Sequence, residues 1–448
     1  MSAWFDREST RRLLVLAGPI MLGMASQTVM NLVDTAMVGR LGPAAQGAAG
    51  LGSFTFWVLA NLLIGLGVAV QAMVSRRAGE GEPEQAGASL DSGLFVALTV
   101  GVPVGYGLGL LAPFLFPLLS DDPDLIEGGA LYLQLRLMGL GVVVANYCFR
   151  GFYNGIGQST TYLTSIVVIH ITNILFNWIF IFGHLGATPM GVRGAGMASA
   201  LAAAVGAAFY TALTVSQSGL MQKYKPFRFR SIAPARLRSM LRLAWPEAVR
   251  GILTMVGFLL FLRLHAFVGT REAAAGTILI NIAGVGFLPA LGMGLAGATL
   301  LGKSLGEGKP DEGRRLVWLG VRVACAGLLV PGLILLVFPD WILGWFTPDG
   351  RVVQMARPAM RLLALTMVFD AVPIILSSSL QGAGATRFVA KVQVFQQYAI
   401  LLPLAWLFGI HLEGGVFGLW LAMPISRIAL AVPTWLKLRG DSWERIEV

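Results

Sequence analysis

The sequence predicts an all-α integral membrane protein with twelve transmembrane helices in two six-helix bundles. Three observations support this fold class. Of the 448 residues, 56% are hydrophobic and only 12% are charged, whereas about 25% charged residues is usual for a soluble protein. Apolar runs of about 20 residues, each long enough to cross a bilayer, recur along the whole chain. The second half of the chain also repeats motifs of the first half.

The apolar runs define the predicted helices in order. The first six lie near 13–39, 47–75, 92–119, 129–153, 160–183 and 191–216. The second six lie near 241–268, 275–302, 315–338, 354–381, 388–409 and 415–436. An even number of spans places both termini on one side of the membrane. If that side is the cytoplasm, it holds about 22 Lys and Arg residues against about five on the other, as the positive-inside rule requires.

Three segments of the first half recur 227 positions later. GLGVAVQAMVSRRAGEGEPEQAG, starting at Gly65, aligns with GMGLAGATLLGKSLGEGKPDEGR, starting at Gly292. AGPIM, which contains Pro19, aligns with AWPEA, and FYNGIGQST aligns with SLQGAGATR. The chain is therefore predicted to be an internal duplication. Because each copy has six helices, both copies should share one orientation, related by a pseudo-two-fold axis along the membrane normal.

The duplication predicts an amino-terminal lobe, 1–221, a cytoplasmic linker, 222–242, and a carboxyl-terminal lobe, 243–448. The linker is basic and contains prolines, and we expect it to contact lipid headgroups. The net charge of +10 comes mainly from short loops. It therefore indicates membrane orientation and not nucleic-acid binding. The two cysteines, Cys148 and Cys325, stand singly in predicted helices and form no metal or redox motif.

Asp34 lies in the middle of the first apolar run, in SQTVMNLVDTAMVG. A charged carboxylate in a bilayer costs about 2.5–3.5 kcal/mol on insertion scales, so it is expected to face a cavity and to be functional. Gln27, Asn31 and Asp34 follow a spacing of i, i+4, i+7, which places them on one helix face. The aligned residue of the second half is Phe261, so the bundle itself does not require an acid at this position.

Two further polar stripes follow in the first half. They consist of His170, Asn173 and Asn177 in helix 5, and of Asn146, Arg150 and Asn154 in helix 4. We expect all three stripes to converge on a water-filled cavity in the first bundle. The alternative is that the asparagines only hold helices together, at roughly 0.6–2 kcal/mol per pair. The ionisable Asp34 is less suited to that role.

A second polar site is predicted in the second half, with Asp370 in helix 10 as its acid. Gln393 and Gln396 in helix 11 are candidate cavity residues at i, i+3. Three arginines also lie within predicted spans and are expected either to snorkel or to pair with acids. They are Arg263, Arg322 and Arg427.

These motifs resemble the multidrug and toxic compound extrusion (MATE) family, in its NorM-like or DinF-like branch. The resemblance spans the whole chain. It rests on QTVMNLVDTAMVGRLG, on NILFN followed by GVRGAGMASA, on FYNGIGQST and on the paired loops GEGEPEQ and GEGKPDE. It implies a V-shaped secondary exporter of cationic, amphipathic compounds. Inward Na⁺ or H⁺ would drive export, and no other cofactor is implied.

The resemblance also implies roles for particular residues. Asp34, Asn173 and Asn177 match the ion site of the amino lobe and are a candidate Na⁺ site. Asp370 matches the helix 10 acid of the NorM-like branch, and Pro19 matches the proline at which helix 1 is proposed to bend. The substrate cavity is expected to include Gln27, Asn31, Asn146, Asn154, His170, Gln393 and Gln396.

Two positions depart from the family pattern. Asn177 stands where proton-coupled, DinF-like members tend to carry Asp, and Met255 stands where the NorM-like branch carries a helix 7 acid. Amide oxygens suit a hard cation such as Na⁺ and hold no proton at neutral pH. A proton would need only the Asp34 carboxylate. Both ions therefore stay open, and Asn177 favours Na⁺.

The sequence disfavours two other classes of function. A lipid-linked oligosaccharide flippase of the same superfamily would be expected to have extra helices and a cationic cavity. A membrane-embedded enzyme is disfavoured because the four histidines are scattered. No P-loop occurs, so the sequence does not predict export driven by ATP through a domain of this chain. We therefore expect a monomeric, non-enzymatic exporter in the plasma (inner) membrane with cytoplasmic termini. Its partners would be small cationic or amphipathic substrates and lipids, and not nucleic acid.

Overall fold

The computed structural model describes residues 6–228 and 232–446. Residues 229–231 of the predicted linker, 222–242, lie outside this part of the chain, as do both ends. All regular structure in the described residues is helical. In chain order the helices are α1 Arg7–Gly39, α2 Pro43–Gly79, α3 Pro83–Leu118, α4 Pro123–Met138, α5 Leu140–Gly155, α6 Ser159–Phe182, α7 Gly191–Ser216, α8 Ser218–Tyr224, α9 Pro234–Val268, α10 Thr270–Gly306, α11 Pro310–Val337, α12 Pro339–Phe346, α13 Gly350–Gly382, α14 Thr386–His411 and α15 Gly415–Arg439.

Eleven of the helices in the described residues are individually long and apolar enough to cross a membrane. Helices α4 and α5 meet the same criterion together and bend by 49° where they join at Gly139. The helices are close at this point, because a Cβ on Gly139 would lie 3.0 Å from the Cβ of Ala200 in α7. With the bent pair counted as one span, the total is twelve, and the predicted multi-pass helical fold is confirmed.

Most of the observed helices begin earlier than predicted. For example, α3 begins at Pro83 and α9 at Pro234, whereas their apolar runs were placed at 92–119 and 241–268. The first turns of such helices carry charged and small polar residues, which a search for apolar runs excludes. Proline stands at the start of α2, α3 and α11, where its missing N–H leaves no hydrogen bond unmade.

The chain forms two compact units. One comprises Leu22–Ala248, and the other joins the described residues up to Met21 to those from Val249 onward. The first turns of α1 pack within the second unit, where a Cβ on Gly292 would lie 2.5 Å from the Cγ of Met21. The chain thus passes from one unit to the other inside α1 and inside α9. The lobe limits at 221 and 243 stay a prediction.

The same glycine-lined helix crossing occurs in each unit. In the first unit, α2 crosses α5, and a Cβ on Gly151 would lie 2.3 Å from the carbonyl oxygen of Gly67. In the second unit, α10 crosses α13, and a Cβ on Gly382 would lie 2.4 Å from the carbonyl oxygen of Ala298. Small residues let membrane helices approach this closely. The duplicated helices therefore pack in the same way in both halves.

The start of the linker is bound to α3. The carboxylate of Asp91 accepts hydrogen bonds from the backbone N–H groups of Phe227, at 2.6 Å, and Arg228, at 2.9 Å. Lys225 also pairs with Glu84 in the first turn of α3. These contacts hold residues 225–228 against the amino-terminal unit.

Candidate functional site

Asp34 meets Asn177 where α1 packs against α6. The Nδ2 atom of Asn177 donates a hydrogen bond to Oδ1 of Asp34 at 2.6 Å and a second to Oδ1 of Asn173 at 2.9 Å. Asn173 in turn donates to the hydroxyl of Ser199 in α7 at 3.3 Å. Both asparagines are buried, and Asp34 is partly exposed. The structure thus brings together all three residues of the predicted ion site.

One acceptor in this cluster has no partner. The Oδ1 atom of Asn177 is buried, and no hydrogen bond reaches it from the described residues. An unpaired buried acceptor is costly in a membrane protein, because lipid cannot supply a donor. The cluster combines one carboxylate with amide oxygens, which is the kind of ligand set that hard cations prefer. Its chemistry therefore fits a dissolved monovalent cation.

His170 extends the cluster along α1 and α6. Its Nε2 lies 3.3 Å from Oε1 of Gln27, and its Nδ1 lies 3.3 Å from the hydroxyl of Ser26. Gln27 also donates to Asn31 at 3.1 Å. The predicted stripes of helix 1 and helix 5 therefore face each other. Ser26 and Ser199 were missed by the sequence analysis, since serine in an apolar helix is common and carries little signal.

Two residues of the third predicted stripe, Asn146 and Arg150, make their contacts elsewhere. Asn146 donates to the carbonyl oxygen of Ala203 at 2.8 Å. The guanidinium of Arg150 lies over the rings of Tyr147 and Tyr162, and Asn154 is fully buried. The substrate-cavity roles of Asn146 and Asn154 stay predictions.

Arg136 in α4 was also missed. It lies within electrostatic range of Asp34. Its guanidinium donates to the hydroxyls of Tyr132, at 2.9 Å, and Ser53, at 3.1 Å, and stacks 4.2 Å from the centre of the Phe56 ring. A charged residue inside an apolar span was the available signal. Arg136 adds a positive charge close to the acid.

The second half has a closed aromatic core at the position aligned with Asp34. Phe261 is fully buried and packs against His265 and Trp420. The Nε1 of Trp420 donates to Nε2 of His265 at 3.1 Å, so His265 carries its proton on Nδ1 and donates it to the carbonyl oxygen of Phe261 at 2.9 Å. The two halves therefore differ at the position where the amino half has its acid.

Asp370 lies next to an arginine. Its Oδ1 is 3.8 Å from Nε of Arg427 in α15. The predicted partner Gln393 instead accepts a hydrogen bond from Arg250 at 3.0 Å. Gln396 is buried where α14 widens into a π-helical turn. The ion-binding role of Asp370 and the cavity roles of Gln393 and Gln396 stay predictions.

Comparison with known proteins identifies the family. The MatE family profile matches this chain twice, at residues 19–179 and 246–407. The two matches begin 227 positions apart, which is the offset of the internal repeat. The chain belongs to the MatE family. The predicted family and the predicted duplication are both confirmed.

Curated relatives match this MATE chain over nearly its full length. It is 25% identical over 446 residues to a probable multidrug resistance protein NorM of Thermotoga maritima, with 98% of this chain and 94% of that protein covered. The probable NorM of Xanthomonas campestris pv. campestris is 28% identical over 437 residues, with coverages of 96% and 93%. Multidrug resistance protein PmpM of Pseudomonas aeruginosa is 25% identical over 453 residues, with coverages of 96% and 91%.

Solved structures share the fold. One, described as the outward-facing conformation of a multidrug resistance MATE family transporter of the MOP superfamily, aligns with a TM-score of 0.88 at 23% identity, covering 96% of this chain and 95% of the other. A MOP superfamily transporter from Pyrococcus furiosus aligns with a TM-score of 0.87 at 23% identity and the same coverages.

Proposed function

We propose that this MATE chain is a secondary exporter that moves small cationic, amphipathic compounds out of the cell in exchange for an inward cation. The observation that carries the proposal is the Asp34–Asn177 hydrogen bond inside two apolar helices. The names of the curated relatives, multidrug resistance proteins, support the export of several compounds. They give no support to the flippase alternative or to an enzyme.

Na⁺ is the coupling ion that the ligand chemistry favours. The candidate ligands are the Asp34 carboxylate, the Oδ1 of Asn177, which lacks a donor among the described residues, and the Oδ1 of Asn173. Carboxylate and amide oxygens are typical ligands of hard cations. Amide oxygens add nothing to proton binding at neutral pH, so this cluster would be more elaborate than a proton site needs.

The exchange of ion and substrate would follow from their competition for the negative charge of Asp34. Burying an ionised carboxylate is costly unless a cation neutralises it. A bound cation would therefore favour the state in which α1 and α6 close around Asp34, and a cationic substrate would compete for the same charge. Arg136 would further disfavour two cations at once by like-charge repulsion. Antiport requires that the ion and the substrate bind one at a time. Each of them shifts the equilibrium between the two conformational states only as far as it binds one state more tightly than the other.

We also propose a membrane location and lipid partners for the protein. The distribution of Lys and Arg supports cytoplasmic termini in the plasma (inner) membrane. The basic linker, of which residues 225–228 lie against α3, would contact anionic lipid headgroups. We propose that one chain forms a complete transporter, since both repeats are present in it.

The test is efflux of a fluorescent cation from proteoliposomes under an imposed Na⁺ gradient, with equal pH on both sides. We expect export that depends on the Na⁺ gradient and that stops when the gradient is collapsed by an ionophore. A parallel set of vesicles receives only a pH step. Efflux that follows the pH step and ignores Na⁺ would overturn the coupling ion. Efflux in neither set would overturn the antiport.

A further inference from the structure

Asp370 and Arg427 form an ion pair inside the membrane-spanning part of the second unit. The acid belongs to α13 and the arginine to α15, and Nε and Oδ1 are 3.8 Å apart. Both side chains are partly exposed, at 22% and 28% respectively. Among the described residues, Asp370 is the sole charged partner of Arg427. The pair is therefore an acid matched by its own cation.

The pair is electrostatic and not hydrogen-bonded. A separation of 3.8 Å exceeds the range of an N–H···O hydrogen bond, and the Nε of Arg427 is buried without a hydrogen-bond partner in the described part of the chain. Coulomb attraction is stronger in an apolar environment than in water. The positive charge is thus held beside Asp370 with no other polar contact to account for its position.

The bundle does not need this pair. Asp370 aligns with Val143 at the repeat offset of 227. Helices α7 and α15 both begin at a glycine with positive φ, Gly191 and Gly415, and this correspondence aligns Arg427 with Ala203. The amino half therefore builds the same crossing from uncharged side chains. Acid and arginine occur together in one half only, which argues that the arginine serves the acid.

We propose that Arg427 is a built-in counter-cation for Asp370, so that the second unit presents no free carboxylate to a dissolved cation. Each chain would then bind one coupling cation, at Asp34. Arg427 acts here as a positioning residue that decides which acid is available. The assignment rests on the proposed antiport, but its test counts bound cations and does not require transport.

The experiment measures equilibrium binding of radioactive Na⁺ to the purified full chain, with the number of sites per chain as the readout. Arg427→Met should add one site to the wild-type number, and the double variant Arg427→Met/Asp370→Asn should lose it again. Arg427→Lys keeps the charge and should leave the number unchanged. Arg263→Met is the matched control, because Arg263 contacts the ring of Phe267 and pairs with no acid in the described residues.

Two results in the single variants would overturn the proposal. One is an unchanged number of sites in a folded Arg427→Met variant. The other is a lower number in Asp370→Asn alone, which would mean that the acid already binds Na⁺. If Arg427→Met does not fold, the exchanged variant Asp370→Arg/Arg427→Asp keeps the pair and should match the wild type, and an extra site in it would contradict the proposal. A wild-type number of zero would sink the Na⁺ site at Asp34 without affecting the predicted gain of one.

Discussion

Asp34 and Asn177 are 143 residues apart in sequence and share a hydrogen bond. Their helix faces could be predicted from the spacing of polar residues, since a residue's face follows from the helical period. Their mutual contact could not, because the rotation of one membrane helix against another depends on packing. For the same reason the spacing of Asn146 predicts that it joins the cluster, whereas its side chain donates a hydrogen bond to the backbone of α7.

The first prediction concerns the charge of Asp34. Asp34→Asn keeps the size of the side chain and removes the charge. A charge-assisted hydrogen bond contributes about 1.5–3 kcal/mol, so we expect at least a roughly tenfold loss of export with near-normal membrane abundance. Drug resistance of cells at matched expression is the readout, and Asp121→Asn, at an exposed acid, is the control. Normal resistance in Asp34→Asn would remove this residue from the mechanism.

The second prediction concerns the part that the Asn177 amide plays in the choice of coupling ion. Asn177→Asp places two carboxylates within hydrogen-bond distance, so one of them should hold a proton. We therefore expect export by this variant to follow a pH gradient, while Asn177→Ala loses export under either gradient. The measurement is fluorescent-cation efflux from proteoliposomes. Export by Asn177→Asp that still depends on Na⁺ alone would show that the amide does not select the ion.

At the scale of the element, the compact units divide inside α1 and α9. Each boundary, after Met21 and after Ala248, falls two residues beyond a proline, Pro19 or Pro246. Proline removes one intrahelical hydrogen bond and favours bending at that point. The helices themselves were predictable from apolar runs, and α7 has the predicted limits. The bend at Gly139 was not predicted, because residues 129–153 form one apolar run in the sequence.

Another prediction concerns the role of Pro19 in the bending of α1. The structure places it inside a continuous α1, and its bending role is still a prediction. Pro19→Ala restores the missing N–H donor and should stiffen the helix. We expect slower export with an unfolding temperature at least as high as that of the wild type, measured as efflux rate and thermal unfolding. Ala17→Ser, a similarly small change at a buried neighbour, is the comparison. An efflux rate equal to that of the wild type would argue against a hinge at Pro19.

A further prediction concerns the close crossing of α10 and α13 at Gly382. Gly382→Leu would drive a side chain into the carbonyl oxygen of Ala298, and backbone cannot move aside as a side chain can. Overpacking of this kind costs about 1–3 kcal/mol or more. We expect a lower unfolding temperature in detergent. Gly107→Leu in α3 has open space around it and should change that temperature little. Equal shifts in the two variants would contradict the packing argument.

In the whole molecule, the two copies of the duplicated bundle share one helix contact and differ at the position of Asp34. The contact between the first and fifth spans recurs in both halves, as His170 with Gln27 and as Gln397 with the carbonyl oxygen of Thr254. The acid does not recur, because Phe261 closes its position with an aromatic core. The duplication and the lone acid were visible in the sequence. The pairing of Asp370 with Arg427 was not, since it depends on how α13 and α15 pack.

In the proposed antiport, export of a substrate and entry of a cation are obligatorily coupled through Asp34. Its most direct test is counterflow in proteoliposomes loaded with a cationic substrate, with equal Na⁺ and equal pH on both sides. Outward movement of the substrate should drive radioactive Na⁺ into the lumen above its external concentration in the wild type. Vesicles with Asp34→Asn, and wild-type vesicles without substrate, should accumulate none. Substrate efflux by the wild type without any accumulation of Na⁺ would contradict the proposed exchange of substrate for Na⁺.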